Sequence, residues 1–139
     1  MSEMVYKGSV QELRDASTVL TGSFVASSEL ATPNDSFATL SVVYVKGGSA
    51  TALVLVPEVS PTPSGDDWQP AESALETAAA SSGIVTLPAH ETRYTLAQSG
   101  SRTLHVRVYG AARLRVRVLE TGTPGGTCRV RAVVSRVGG

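Results

Sequence analysis

Between residues 103 and 135 apolar and polar side chains alternate with a period of two, and the apolar set keeps to even numbers throughout. Leu104, Val106, Val108, Leu114, Val116, Val118, Cys128, Val130, Ala132 and Val134 must therefore share one kind of face, a core face. The odd positions carry His105, Arg107, Tyr109, Arg113, Arg115, Arg117, Arg129 and Arg131. A half-buried antiparallel strand presents such a set to water or to a partner. Three strands are expected, near residues 103–109, 112–119 and 127–135.

The arginines constrain how those strands connect. A simple hairpin with residues 109–111 as its loop would set Arg107 against Arg113 and His105 against Arg115. A meander through residues 121–126 would add Arg117 against Arg129 and Arg115 against Arg131. Like charges directly opposite destabilise a sheet by about 0.2–1 kcal/mol per pair. Sending consecutive strands to opposite sheets avoids this and divides the guanidiniums between two outer surfaces. The expected fold is an all-β, jelly-roll-like antiparallel β-sandwich of about eight strands with one short helical insertion. A three-strand meander survives only if an acidic partner covers it.

At 139 residues the chain is one ordinary domain, long enough to bury a core without disulfides or metal. It is rich in Val, Thr, Ser, Ala and Gly, which favours short strands and turns. No apolar run approaches the roughly 18 residues of a membrane span, and no basic-then-apolar leader opens the sequence. The expectation is a chain made and folded in a cytoplasm. The single cysteine, Cys128, falls on the inward parity and reads as a small buried hydrophobe, with no intrachain disulfide possible. Charge is uneven: residues 1–91 set three basic side chains against eleven acidic ones, and residues 92–139 set nine arginines against Glu120 alone. Such a chain is self-complementary, which favours protein contacts. Tyr109 is the only aromatic on the arginine-bearing faces, which argues against a nucleic-acid surface.

Residues 1–16 lack a clean period and read as an N-terminal arm ordered by a neighbouring molecule, with a first strand of the domain's own sheet around residues 4–10 as the alternative. Residues 17–139 form the sandwich. Residues 17–30 read as a strand interrupted near Gly22, and Thr32, Pro33, Asn34 and Asp35 as a turn. Residues 37–46 are a strong strand with Ala38, Leu40, Val42 and Tyr44 on one face. Gly47, Gly48 and Ser49 turn it into residues 50–56, most simply as a hairpin. Leu53, Val54, Leu55 and Val56 imply that the returning strand is covered on both sides, with Pro57 ending its regular pairing. Residues 69–83 read as a short helix, and residues 84–87 and 92–97 as strands flanking Pro88.

Several residues at the turns carry a further signal. They are Tyr44, Lys46 and Gly47, then Thr51, Leu53 and Leu55, then Glu58 and Ser60, and after a turn Gly65, Asp66 and Trp68. Gly100, Leu104, Val106, Arg113, Leu114, Arg115, Val116, Glu120, Thr121, Gly122 and Thr123 continue it. Over residues 17–135 this pattern resembles that of small β-sandwich virion structural proteins of tailed bacteriophages and prophages, of the head-decoration, head-fibre or tail-associated type. It departs from them in the Ser-Pro-Thr-Pro-Ser stretch at residues 60–64 and in the alanine-rich piece after Trp68. The resemblance implies a non-enzymatic virion protein acting as an oligomer, most simply a capsid-associated decoration (cement) protein or head-fibre base. A tail or neck (head-tail connector) component is the alternative, and a carbohydrate-binding module is third. Its implied partners are other copies of itself and a major capsid or other virion protein.

No catalytic, cofactor-binding or metal residue is expected. There is no nucleophile elbow or activated acid-base pair, and neither His90 nor His105 has a ligand partner at metal spacing. Asp66 and Asp67 read as a solvated turn rather than a calcium site. Trp68 reads as a plug at one end of the sandwich, against the alternative of a sugar-stacking platform. The candidate site is a protein interface formed by Arg107, Arg113, Arg115, Arg117, Arg129 and Arg131. Their planar forks pair bidentately with carboxylates, such as Glu3, Glu12, Asp15 and Glu29 of a neighbouring copy.

Overall fold

Alternation becomes strand where the pattern is strongest, and the even positions face inward. Leu104, Val106, Val108, Leu114, Val116, Val118, Cys128, Val130 and Ala132 are all buried in one core with Ala38, Leu40, Val42 and Tyr44. The structure, a computed structural model, describes residues 4–7, 9–33, 35, 37–71, 84–86 and 92–138. Its strands are β1 (Met4–Lys7), β2 (Gln11–Arg14), β3 (Val25–Ala26), β4 (Leu30–Ala31), β5 (Phe37–Val45) and β6 (Ala50–Ser60). They continue with β7 (Gln69–Pro70), β8 (Ile84–Thr86), β9 (Thr92–Leu96), β10 (Gly100–Arg107), β11 (Arg113–Gly122) and β12 (Thr127–Gly138).

Two antiparallel sheets enclose the core. Sheet I runs β1-β12-β5-β10, with β2 also on β12; sheet II runs β3-β11-β6-β9-β8, with β4 on β11 and β7 on β6. Consecutive long strands therefore change sheet: β5 lies in I, β6 in II, β10 in I, β11 in II and β12 in I. The hairpin expected for β5 and β6 is not formed. The side chains explain this, because β5 shows Thr39 and Ser41 outward whereas Val54 and Val56 of β6 are buried on the opposite side from Leu53 and Leu55. Strands with such different outer faces belong in different layers.

Pro57 does not end β6. It remains opposite Val116 in the ladder with β11, and pairing runs on to Ser60 opposite Arg113. Its carbonyl accepts the Ala71 amide at 3.2 Å. In a strand the N–H and C=O of one residue point the same way, so the donor that proline lacks falls on the side shared by β7 and β9, between their two short pairings.

Against the expected count of about eight, the described residues form twelve strands, because several are only two to four residues long. Gln69 and Pro70, placed at the start of the expected helix, form β7 instead; residues 72–83, on which the rest of that helix falls, lie outside the described residues. Within the stretch read as an arm, β1 and β2 pair with β12, and Leu13 is buried in the core cluster. Among the described residues no helix is long and apolar enough to cross a membrane.

Candidate interaction surfaces

The six arginines of the candidate site divide evenly between the sheets. Arg113, Arg115 and Arg117 line the outer face of sheet II on β11, and Arg107, Arg129 and Arg131 lie on the outer face of sheet I. The two groups live in different surroundings.

On sheet II the chain covers its own face. Arg113 is only 6% exposed, which corrects its expected outward projection. The segment between β6 and β7 folds over it, and a planar fork with five donors suits the oxygens it meets there. Nε donates to the Thr62 carbonyl at 2.8 Å and Nη1 to Glu29 Oε1 at 2.8 Å. Nη2 donates to Ser60 Oγ and to the Gly65 carbonyl, each at 3.0 Å. The Asp67 carboxylate organises the same loop by accepting from Ser60 Oγ at 2.6 Å and Thr62 Oγ1 at 2.8 Å. Those hydroxyls hold its pKa below the ordinary carboxylate value. This is the turn that the Asp66-Asp67 pair was expected to make.

Trp68 lies beside this knot with the guanidiniums of Arg113 and Arg115 over its ring, 4.6 Å and 4.2 Å from the centroid. Further along the face Arg117 and Arg93 lie over Phe24, at 4.7 Å and 5.2 Å. Glu58 sits between the two groups, its Oε1 2.9 Å from Arg115 Nε and 3.1 Å from Arg117 Nε. Cations, rings and one carboxylate thus form a continuous strip that closes the outer side of β11 and β6. Trp68 is half-buried on the outer face of sheet II and is not part of the core, which corrects its expected place as a plug at one end of the sandwich, and its ring is engaged by the chain's own cations.

Sheet I presents a different face. Its outward positions on β5, β10 and β12 include Thr39, Ser41, Val43, Thr103, His105, Arg107, Arg129 and Arg131, and none of the outward residues of these strands is acidic. His105 Nδ1 lies 3.3 Å from Thr39 Oγ1. Arg131 is exposed and Arg129 half-buried, and neither has an ion pair among the described residues.

At the opposite end of β11 from Arg113 is a site that the sequence reading did not single out. Glu120 is fully buried. Its Oε1 accepts the amides of Gly125 and Gly126, each at 2.8 Å; its Oε2 accepts the Gly47 amide at 3.0 Å and the Tyr44 hydroxyl. Burial pushes this carboxyl up, but the hydrogen bonds from Gly47, Tyr44, Gly126 and Gly125 outweigh it and bring the pKa down to about 2. Burial, with Glu120 alongside, raises the Tyr44 phenol far above its usual value. The glycines are required: a Cβ on Gly126 would stand 2.3 Å from the Val45 carbonyl, and one on Gly47 2.8 Å from the Gly126 amide. A sequence signal was present, since Glu120 continues the inward even parity of Val116 and Val118.

Among the described residues no three His, Cys, Asp or Glu side chains cluster so as to hold a metal. Burial pushes the Cys128 thiol up to about 11.

Fold and surfaces together define a two-sheet antiparallel β-sandwich with one self-covered face and one cationic face on which no described residue of β5, β10 or β12 is acidic. No family model matches the chain, and no curated protein is similar to it in sequence. Its fold is similar to that of the SPBc2 prophage-derived protein YomS, over 97% of both chains, with a TM-score of 0.57 and 10% identity. It is also similar to a chain in the structure of infectious bursal disease virus Gx strain, at a TM-score of 0.50 and 8% identity, over 100% of this chain and 34% of that one. At these identities the likeness is one of fold.

Proposed function

We propose that this chain is a non-enzymatic structural protein of a tailed-phage or phage-derived virion. The observation that carries the reading is the end-to-end fold similarity to a prophage-derived protein, which leaves almost no part of either chain unmatched. The strand orders β2-β12-β5-β10 and β4-β11-β6-β9 support a jelly-roll description, because each long strand crosses to the other sheet before the next begins. Within the virion the preferred place is on the head, as a decoration protein or head-fibre base acting as a homo-oligomer; a tail or neck component is the alternative.

The open face of sheet I is the assembly surface in this reading. Arg129 and Arg131 supply forks for carboxylates of a capsid protein or of another copy, with Thr39, Ser41 and Thr103 as a low, polar surround. Arg113, Arg115 and Arg117 instead act within the subunit, where they hold the loops that frame sheet II.

The test is fractionation of induced particles on a density gradient, with the protein quantified in each band. A head protein travels with full and empty capsids in many copies. Recovery with tails at low copy favours the tail or neck reading, and absence from every particle band removes the virion assignment.

A further inference from the structure

The two sides of the sandwich are finished differently. On the β2 side one stretch stitches the sheets together: the Ser28 amide donates to the Leu13 carbonyl of sheet I at 3.0 Å, and the Ser27 amide to the Val116 carbonyl of sheet II at 2.8 Å. On the other side of sheet I lies β10. Every residue from Gly100 to Arg107 pairs with β5 without a register shift, and the strand holds neither proline nor an acidic residue. Among the described residues no strand lies beyond it, and no backbone group of β10 bonds outside its ladder with β5. Gly100, Ser101, Arg102 and Thr103 are exposed in succession although their positions alternate between the two faces, so the edge itself is open to water along this half. A long, regular edge is a template for another strand unless it is covered or blunted. Arg102 is a blunting device, since it stands on the inward parity, opposite Val42, yet is exposed.

Which group Arg102 opposes depends on register. A parallel copy in register sets it against itself, and like charges directly opposite are destabilising. Antiparallel pairing with a second copy about a two-fold axis through Leu104 avoids this. Leu104 then faces its own twin, Arg102 stands opposite Val106, Thr103 opposite His105 and Ser101 opposite Arg107, all within β10. Inward positions meet inward positions, as the pleat demands. The two Arg102 side chains stand four residues apart along the strands, about 14 Å by strand rise and beyond the Debye length of about 8 Å. Each stem lies along the partner's apolar inner face while its head reaches water. Moving the axis to Thr103 brings the two arginines to diagonal positions about 7–8 Å apart, and moving it to His105 sets that ring against its twin. Arg102 thus selects one symmetric register.

We propose that the chain forms a two-fold dimer in which β10 pairs antiparallel with β10 of a second copy about Leu104, joining both copies of sheet I into one sheet. The contact is isologous and closes on itself. One strand edge falls short of the roughly 800 Å² per partner of a stable complex, so the dimer is reversible in solution. The inference rests on the reading of the chain as a homo-oligomeric structural protein. Its test uses the purified full chain alone, so a failed dimer leaves particle fractionation to decide that reading separately.

Sedimentation equilibrium over a wide concentration range should show reversible dimers. Over the same range, hydrogen exchange of the wild-type chain should slow at β10 amides as the dimer fills, while β2 and β3 amides stay unchanged. Two charge designs test the register. Thr103→Arg with His105→Arg sets like charges opposite each other twice across the axis, whereas Thr103→Glu with His105→Arg sets opposite charges there. Within the chain the partners of these positions are the uncharged Ser41 and Thr39, and circular dichroism verifies folding. At low salt the second design should dimerise about tenfold or more tightly than the first, and high salt should narrow the gap. A wild-type chain that stays monomeric throughout, β10 amides indifferent to concentration, or two designs that associate equally overturns the proposal. So does protection of β10 that appears only on particles, which would give the edge to a strand of another virion protein.

Discussion

The Tyr44 hydroxyl, at the end of β5 in sheet I, donates to the carboxylate of Glu120, at the end of β11 in sheet II. Through this contact a single acidic side chain ties the two layers together and also collects the turns at Gly47 and Gly125-Gly126. Deep burial of a carboxylate is tolerated here because four donors replace its water.

Acid should therefore weaken the fold through Glu120. The folded pKa, about 2, lies below the ordinary value of 4.5, so the contribution is complete above about pH 4.5 and disappears as pH falls through 2. A shift of this size corresponds to about 3 kcal/mol. Urea unfolding followed at pH 7 and pH 2 should show a smaller loss for Glu120→Gln than for the wild type, with the variant already weaker at pH 7.

Arg113 should be irreplaceable by lysine. An ammonium group cannot serve the Thr62 carbonyl, Glu29, Ser60 and the Gly65 carbonyl together. Arg113→Lys is expected to lower stability by about 2–4 kcal/mol. Equal unfolding midpoints for variant and wild type would remove Arg113 from the stabilising contacts.

The two arginine faces should respond differently to charge reversal. Arg115→Glu with Arg117→Glu places two new carboxylates beside Glu58 and removes one cation each from Trp68 and Phe24, so the melting temperature of the isolated domain should fall. Arg129→Glu with Arg131→Glu should change stability by no more than about 1 kcal/mol, the cost of setting a carboxylate at position 131 opposite Glu12. The second pair should instead weaken binding to particles, and raised salt should mimic it. Calorimetry and particle pull-down on the wild type and the two double variants separate the two roles.

The N-terminal stretch should divide at residue 8. Leu13 is buried in the core, so Leu13→Ala is expected to lower stability by about 2–4 kcal/mol, and removal of residues 1–16 by more. Removal of residues 1–8 leaves Leu13 and Arg14 in place and should leave a folded chain. Denaturant titration of the three variants gives the order directly.

The core was legible because a period of two survives any arrangement of strands: Leu104, Val118 and Cys128 could be assigned inward without knowing which strands were neighbours. The change of sheet between β10 and β11 was legible from charge, since Arg107 and Arg113 are poor neighbours. What escaped was contact made by irregular backbone. Arg113 shares odd parity with Arg115, and nothing in the alternation says that carbonyls at Thr62 and Gly65 will enclose it. The turn residues Ser60, Gly65 and Trp68 stood out as a pattern, but their common partner lies about fifty residues away. Glu120 was visible as an inward position, yet its donors come from two separate glycine turns that only the folded chain brings together.

The pairing of β1 and β2 with β12 has a consequence for how the chain comes into being. Among the described residues these first strands have no sheet partner but the last one, so that pairing waits while more than a hundred further residues are synthesised. Until β12 emerges, β5 also lacks one neighbour. Although β5 and β10 can meet earlier, sheet I is therefore completed late, by a slow, long-range pairing of its first strands with its last. A ribosome that stops before residue 127 leaves a chain with an open central seam, a natural substrate for chaperones and proteases.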